Sequence, residues 1–298
     1  ELIASPEVDI VTMAVPGPLQ VQVIESCLRA QKAFFFEKPL GGGFARGEKL
    51  LTEALRLKIP NIIDFEFFAL DAWQRALAEI RGGTTIGKIR HALVSWNLET
   101  VAQRLYPDSW KLKSDKGGGT LNNLASHSFN YLEEFMGPIT RLSADLNSDD
   151  QRIYLNLKFQ SGATALMLVS VNSPGGNGHR LEFFGSEGSF VLENPTSDYM
   201  AGFSLRKRDR DFKEVILCEA QMGASGEDGR IAPVAKMAKK LLDWFEDRKG
   251  LRSAWSEGHA AKTEQMSIRG PSLSEALRVE RLIDAARLSD KEGRWVEV

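Results

Sequence analysis

Two cysteines, Cys27 and Cys218, are the only thiols in 298 residues. No disulfide framework supports such a chain, and a reducing compartment, the cytoplasm, is the expectation unless an export signal lies upstream. Two cysteines so far apart do not make a zinc motif, and no metal is expected. No run of about 18 apolar residues occurs, which excludes an apolar spanning helix and argues against a membrane partner. Excess charge is also lacking: 38 Lys and Arg against 40 Asp and Glu leave a net charge of -2. The basic residues are interspersed with acids, so no nucleic-acid partner is expected. The opening residues, ELIASPEVDI, show neither an initiating methionine nor the charged and apolar regions of a signal peptide. The strict dinucleotide fingerprint G-x-G-x-x-G is missing as well.

What is present is a chain long enough for two domains, since single cores stop growing beyond roughly 250 to 300 residues. Residues 9–65 read as strand, helix, strand, helix, strand. The strands DIVTMAV (9–15), AFFF (33–36) and NIIDF (61–65) are apolar without alternation, as parallel strands covered on both faces must be. The helices Leu19–Ala30 and Phe44–Leu57 keep apolar residues at helical spacing, with Val23, Cys27 and Ala30 in the first and Leu50, Leu51, Ala54 and Leu55 in the second. Three parallel strands bury little, and the expectation is that they are one half of a doubly wound sheet. The other half, about 60 residues at the usual length of two strand-helix-strand units, would precede Glu1.

After a helix at 72–81 and the turn GGTTIG, a strand is expected at 86–98. A Gly-rich loop and long helix follow in GGGTLNNLASHSFNYLEEFMG, and residues 139–218 read as an antiparallel meander with short turns such as QSG and SEG. In ATALMLVSV both faces carry apolar groups, with Ala165, Met167 and Val169 alternating with Leu166 and Leu168. Both faces should then be covered, one by the helix at 119–137 and the other by a partner subunit or by the chain itself. Helices near 231–248 and 272–288 close the chain.

Gly41, Gly43 and Gly47 form a relaxed glycine fingerprint, and Asp64 stands where a ribose-binding acid would. The objection is positional, because Glu37, Lys38, Pro39 and Leu40 separate the first glycine from its strand, whereas a phosphate loop turns directly off it. The glycines are better read as a flexible lead into a helix. Lys38 has the stronger claim: it lies beyond the carboxyl end of a parallel strand, and Pro39 restricts its backbone. A lysine desolvated there can exchange a proton with a substrate hydroxyl. In the second half, Asn123, His127 and Asn130 fall at i, i+4 and i+7, placing three polar groups on one helix face. Such a stripe is satisfied either by a bound polar ligand or by its helix neighbours.

Taken in order, SPEVDIVTMAVPGPLQVQVIESCLRAQKAFFFEKPL, GGGTLNNLASHSFNYLEEFMG, GSEGSFVLEN and SLSEALRVERLIDAARLSDKEGRWVEV resemble the glucose-fructose oxidoreductase and inositol dehydrogenase (Gfo/Idh/MocA) family across essentially the whole chain. The resemblance implies an α/β fold: a partial doubly wound, Rossmann-like domain plus an α+β domain with a large, mostly antiparallel open sheet. Residues 1–70 would be the C-terminal half of a dinucleotide-binding domain. Residues 71–298 would be a substrate and oligomerisation domain, its last helix a candidate to pack back on the first.

The implied activity is NAD- or NADP-dependent hydride transfer at a hydroxyl-bearing carbon of a sugar, cyclitol or related polyol. Lys38, assisted by His127, with Asn123 beside it, would form the catalytic set. Val15, Pro16, Gly17, Gln20, Glu37 and Lys38 would line the cofactor, and Trp110, Asn123 and His127 the substrate, although core packing suits Trp110 equally well. The family often has histidine at the Gln20 position and aspartate at the Asn123 and Asn130 positions. Asparagine cannot stabilise an imidazolium by charge, and this favours the alternative of a non-catalytic sugar- or nucleotide-sensing relative. A homodimer or homotetramer formed through the open sheet is also implied.

Overall fold

The computed structural model describes residues 1–82, 86–148, 150–223, 228–256 and 270–298. The turn expected at 82–87 falls in part on residues 83–85, outside the described residues. The chain forms two compact units, residues 1–66 with 232–280 and residues 67–231 with 281–298.

In the first unit β1 (Ile10–Met13), β2 (Ala33–Phe36) and β3 (Asn61–Ile63) make a parallel sheet in that order. The crossovers are α1 (Gly17–Arg29) and α2 (Phe44–Leu57). β2 is buried at every residue, consistent with its unbroken apolar pattern. Val21, Ile24 and Cys27 of α1 and Leu50 and Ala54 of α2 supply the buried helix faces, the i, i+3, i+4 spacing of an amphipathic helix. The later segment joins this unit through specific bonds: Ile63 N–H donates to Pro271 O at 3.0 Å, and Leu273 N–H to Asn61 Oδ1 at 2.7 Å. From the helix Leu273–Glu292, Leu277 reaches α2 where only a glycine fits, since a Cβ on Gly47 would lie 2.8 Å from Leu277 Cδ1.

The second unit opens with α3 (Asp71–Arg81) and is built on one nine-stranded sheet. Its strands are β4 (Ile89–Asn97), β5 (Ile139–Leu146), β6 (Arg152–Phe159), β7 (Thr164–Ser170), β8 (Gly178–Gly185), β9 (Gly188–Asn194), β10 (Ser204–Asp209), β11 (Glu214–Cys218) and β12 (Val296–Glu297). The order across the sheet is β11, β10, β9, β8, β4, β7, β6, β5, β12. The meander expected for 139–218 is therefore interrupted. β4 lies between β7 and β8, parallel to the first and antiparallel to the second. Alternation reports which face a residue occupies but not which strand lies beside it.

One sheet face is core. β6 alternates exposed and buried throughout, and Val94, Trp96, Leu155, Met167, Leu181 and Phe183 point inward. Two helical elements cover that face. α3 packs over β9, β10 and β11; beyond the short α4 (Val101–Leu105), α5 (Ser126–Met136) lies over β8, with the Phe135 and Phe183 rings 5.0 Å apart. The opposite face carries Leu93, Tyr154 and Leu166, with Leu166 54% exposed. Among the described residues the chain thus covers only one face of β7. No helix among them is long and apolar enough to cross a membrane.

Candidate active site

In the first unit the chemistry gathers at the carboxyl ends of β1, β2 and β3. The turn Val15-Pro16 leaves β1 and starts α1, where Gln20 N–H donates to Pro16 O at 3.2 Å. The Gln20 side chain is buried, and its Nε2 donates to Pro39 O at 3.2 Å, tying the loop after β1 to the loop after β2. The two loops also touch backbone to backbone, since a Cβ on Gly41 would stand 2.8 Å from Gly17 Cα. Gly41 has φ +68°, so glycine is required there by conformation and by space.

The Gly41 N–H donates to Glu280 Oε1 at 2.9 Å. A buried carboxylate therefore occupies an amide that a phosphate loop would present to its anion, which agrees with reading these glycines as a lead into α2. Gly43 caps that helix with φ 83°.

Glu37 and Lys38 follow β2 directly and are half-buried. Asp64 and Glu66 follow the adjacent β3, with Asp64 N–H donating to Phe36 O at 2.8 Å. Both carboxyl groups are buried. Burial first, then the Asp64 charge, pushes the Glu66 carboxyl up to about 8; Lys38 opposes the shift and Glu37 adds to it. Glu66 therefore retains its proton at neutral pH.

In the second unit, Leu121–Ala125 forms a π-helical turn ahead of α5. The wider turn rotates the residues that simple helical spacing would align. His127 is buried, Asn123 and Asn130 are only half-buried, and Asn122 is the buried asparagine. The expected single stripe of Asn123, His127 and Asn130 thus divides. Asn123 Nδ2 donates to Lys111 O at 2.6 Å, while Asn122 bonds Gly118 O at 2.8 Å and accepts from Arg287 Nη2 at 3.0 Å. Trp110 lies in a short helical turn and is 44% exposed, which removes the core-packing reading.

Around His127 stands an aromatic cluster. Phe67 sets its ring edge-on to His127 at 5.2 Å and to His179 at 5.3 Å. His179 stacks on Trp96 at 4.0 Å and 2°. Ser128 Oγ and the Tyr131 hydroxyl are 2.7 Å apart, and that hydroxyl is 3.0 Å from His179 Nε2. Burial pushes the His179 imidazole down to about 3 and raises the Tyr131 hydroxyl, so both are neutral across the physiological range. Sequence reasoning missed His179 and Glu66. His179 is one of four histidines and shares the inward alternation of Leu181 and Phe183, a signal that was available.

The sequence pattern of the family described as "Oxidoreductase family, C-terminal alpha/beta domain" matches residues 80–298, and that of "Oxidoreductase family, NAD-binding Rossmann fold" matches residues 1–59. The chain belongs to this oxidoreductase family. An uncharacterized oxidoreductase of Synechocystis is 27% identical over 320 residues, spanning 100% of this chain and 81% of that protein. The myo-inositol 2-dehydrogenase of Thermotoga maritima is 26% identical over 277 residues, covering 82% of this chain and 80% of the dehydrogenase. Among solved structures, an inositol dehydrogenase homolog from Azotobacter vinelandii, complexed with NADH and myo-inositol, superimposes with a TM-score of 0.79 at 16% identity, over 99% of this chain and 80% of that one. The resemblance read from the sequence motifs is thereby borne out, as is the fold class.

The residues of this oxidoreductase fit a nicotinamide cofactor at the ends of β1 and β2. Gln20 Oε1 is buried without a hydrogen-bond partner among the described residues, leaving an acceptor for a ligand donor.

Proposed function

We propose that the chain works as an NAD(P)-dependent oxidoreductase on a hydroxyl-bearing carbon of a sugar, cyclitol or related polyol. Val15, Pro16, Gly17, Gln20 and Glu37 would hold the cofactor, which when bound supplies the two-electron acceptor or donor for that carbon. Lys38 would take the hydroxyl proton in oxidation and return it in reduction. The observation that carries this reading is the placement of Lys38, half-buried just beyond β2 and within electrostatic reach of the buried Glu66 carboxyl. We assign His127 and Asn123 to the polar handling of substrate in the second unit, with Trp110 a further substrate-side residue.

Two observations support these roles. The His127 ring lies edge-on to Phe67 at 5.2 Å and 6.3 Å from Trp96, and Asn123 Nδ2 donates to Lys111 O. The test is a screen of sugars and cyclitols with NAD and with NADP. Turnover on at least one polyol is expected. Cofactor binding with no turnover on any of them would instead favour the sensing relative, which Asn123 and Asn130 keep open by lacking the charge of aspartate.

The exposed sheet face supports a homodimer or homotetramer. Leu93 pairs in register with Leu166 across β4 and β7, and Tyr154 faces Leu168 across β6 and β7. A wet row of large apolar groups is what a second copy would cover. Leu166→Asp should convert the assembly to monomers in sedimentation velocity, while near-ultraviolet circular dichroism stays unchanged. A wild-type chain that sediments as a monomer at micromolar concentration would exclude the assembly.

A further inference from the structure

The reading of Lys38 as a proton-exchanging group leaves unexplained why two buried carboxyl groups stand behind it. Asp64 and Glu66 are 8% and 6% exposed, and each follows the end of the strand beside β2. The bond from Asp64 N–H to Phe36 O continues the β2-β3 ladder to the very point where Glu37 and Lys38 leave it. Within this unit the charged groups acting on Glu66 include Asp64, Glu37 and Lys38, so that Glu66 and two further acidic side chains share the neighbourhood of the Lys38 ammonium. Burying that many negative charges around one ammonium is costly, and the cluster lowers the cost by keeping a proton.

A structural role would be met more simply by an amide or an apolar side chain, since a buried neutral carboxyl contributes little that glutamine would not. The feature specific to glutamate is that its charge can change while Lys38 is beside it. Coupling between such neighbours is reciprocal: as Lys38 eases the ionisation of Glu66, ionised Glu66 must hold the Lys38 proton more tightly.

We propose that Glu66 is a positioning residue for Lys38, one whose gain or loss of a proton sets how firmly the neighbouring lysine keeps its own. While Glu66 is protonated, Lys38 releases its proton more readily, the state suited to accepting one from an alcohol. Once Glu66 ionises, Lys38 is held as the ammonium. The proposal rests on Lys38 being the proton-exchanging group, but its test does not need turnover.

The test is trace acetylation of the intact chain with acetic anhydride from pH 6 to 10, the Lys38 peptide being quantified by mass spectrometry. Wild type and Glu66→Gln should coincide below about pH 7, where Glu66 is protonated in the wild type. Above about pH 8 they should diverge, the variant becoming about threefold to tenfold more reactive at Lys38, the scale of half to one unit in a neighbouring pKa. Curves that superimpose at every pH, or that differ by one constant factor, would overturn the proposal, because a constant factor reports access and not coupling. If Glu66→Gln does not fold, Glu66→Leu serves instead, with the same divergence expected above about pH 8 and the same two outcomes counting against the proposal. Loss of turnover in Lys38→Met bears on the lysine's role, whereas the labelling curves bear on Glu66, so the two failures are distinguishable.

Discussion

Replacing Lys38 with methionine is expected to lower turnover about a hundredfold or more while leaving NADH affinity within about twofold. Methionine keeps most of the aliphatic stem and removes the only group in the cluster that exchanges a proton as an amine. The contacts that shape the proposed cofactor turn, Gln20 with Pro39 O and the Gly17 to Gly41 approach, both stay intact, because neither involves the Lys38 side chain. Removing the ammonium also removes what opposes the upward shift of Glu66, so that carboxyl becomes harder to ionise and remains neutral. Steady-state rates on the substrate found in the polyol screen, with fluorescence titration of NADH, check both halves. An unchanged rate would remove Lys38 from the mechanism.

Phe67→Ala is expected to destabilise the second unit by about 3 to 5 kcal/mol. The ring is 2% exposed and meets Trp73 at 5.1 Å, Trp96 at 5.5 Å and His127 at 5.2 Å, the last two edge-on. Edge-to-face pairs add to the burial term, and the remaining rings are too rigid to close the cavity. At roughly 2 to 4 °C per kcal/mol for a domain of this size, the apparent melting temperature should fall by roughly 6 to 20 °C. Trp73 and Trp96 border the cavity, so near-ultraviolet circular dichroism followed through thermal or urea unfolding reads the right region. A loss under about 1 kcal/mol would show that the cluster can rearrange around the missing ring. Phe67→Leu should cost less than the alanine variant, because it leaves a smaller void.

Local elements could be read closely from the residues that form them. α2 is found at Phe44–Leu57, the range its apolar spacing predicts, and AFFF is β2. In both, one short run of side chains determines both conformation and burial. What escaped depends on information that no short run contains. The π-helical turn at Leu121–Ala125 divides Asn123 from His127 although their spacing suits an ordinary helix. Glu66 stands in DFEFF, where an acid amid aromatic residues marks a buried carboxyl, yet only the fold places it beside Lys38. The partners of β4 lie far along the chain, and hydrophobic patterning is silent about them.

That placement of β4 governs the order in which the second unit can be completed during synthesis. The hairpins β6-β7 and β8-β9 can each close as soon as they emerge. They become one sheet only when His91 has found both Thr164 and Phe184. Until residue 184 has left the ribosome, β4 carries Val94 and Trp96 with one flank unmatched, a sticky strand waiting on a late arrival. The strand of this sheet translated first thus keeps an open edge while about ninety residues are made, and through that interval it is exposed to non-native pairing.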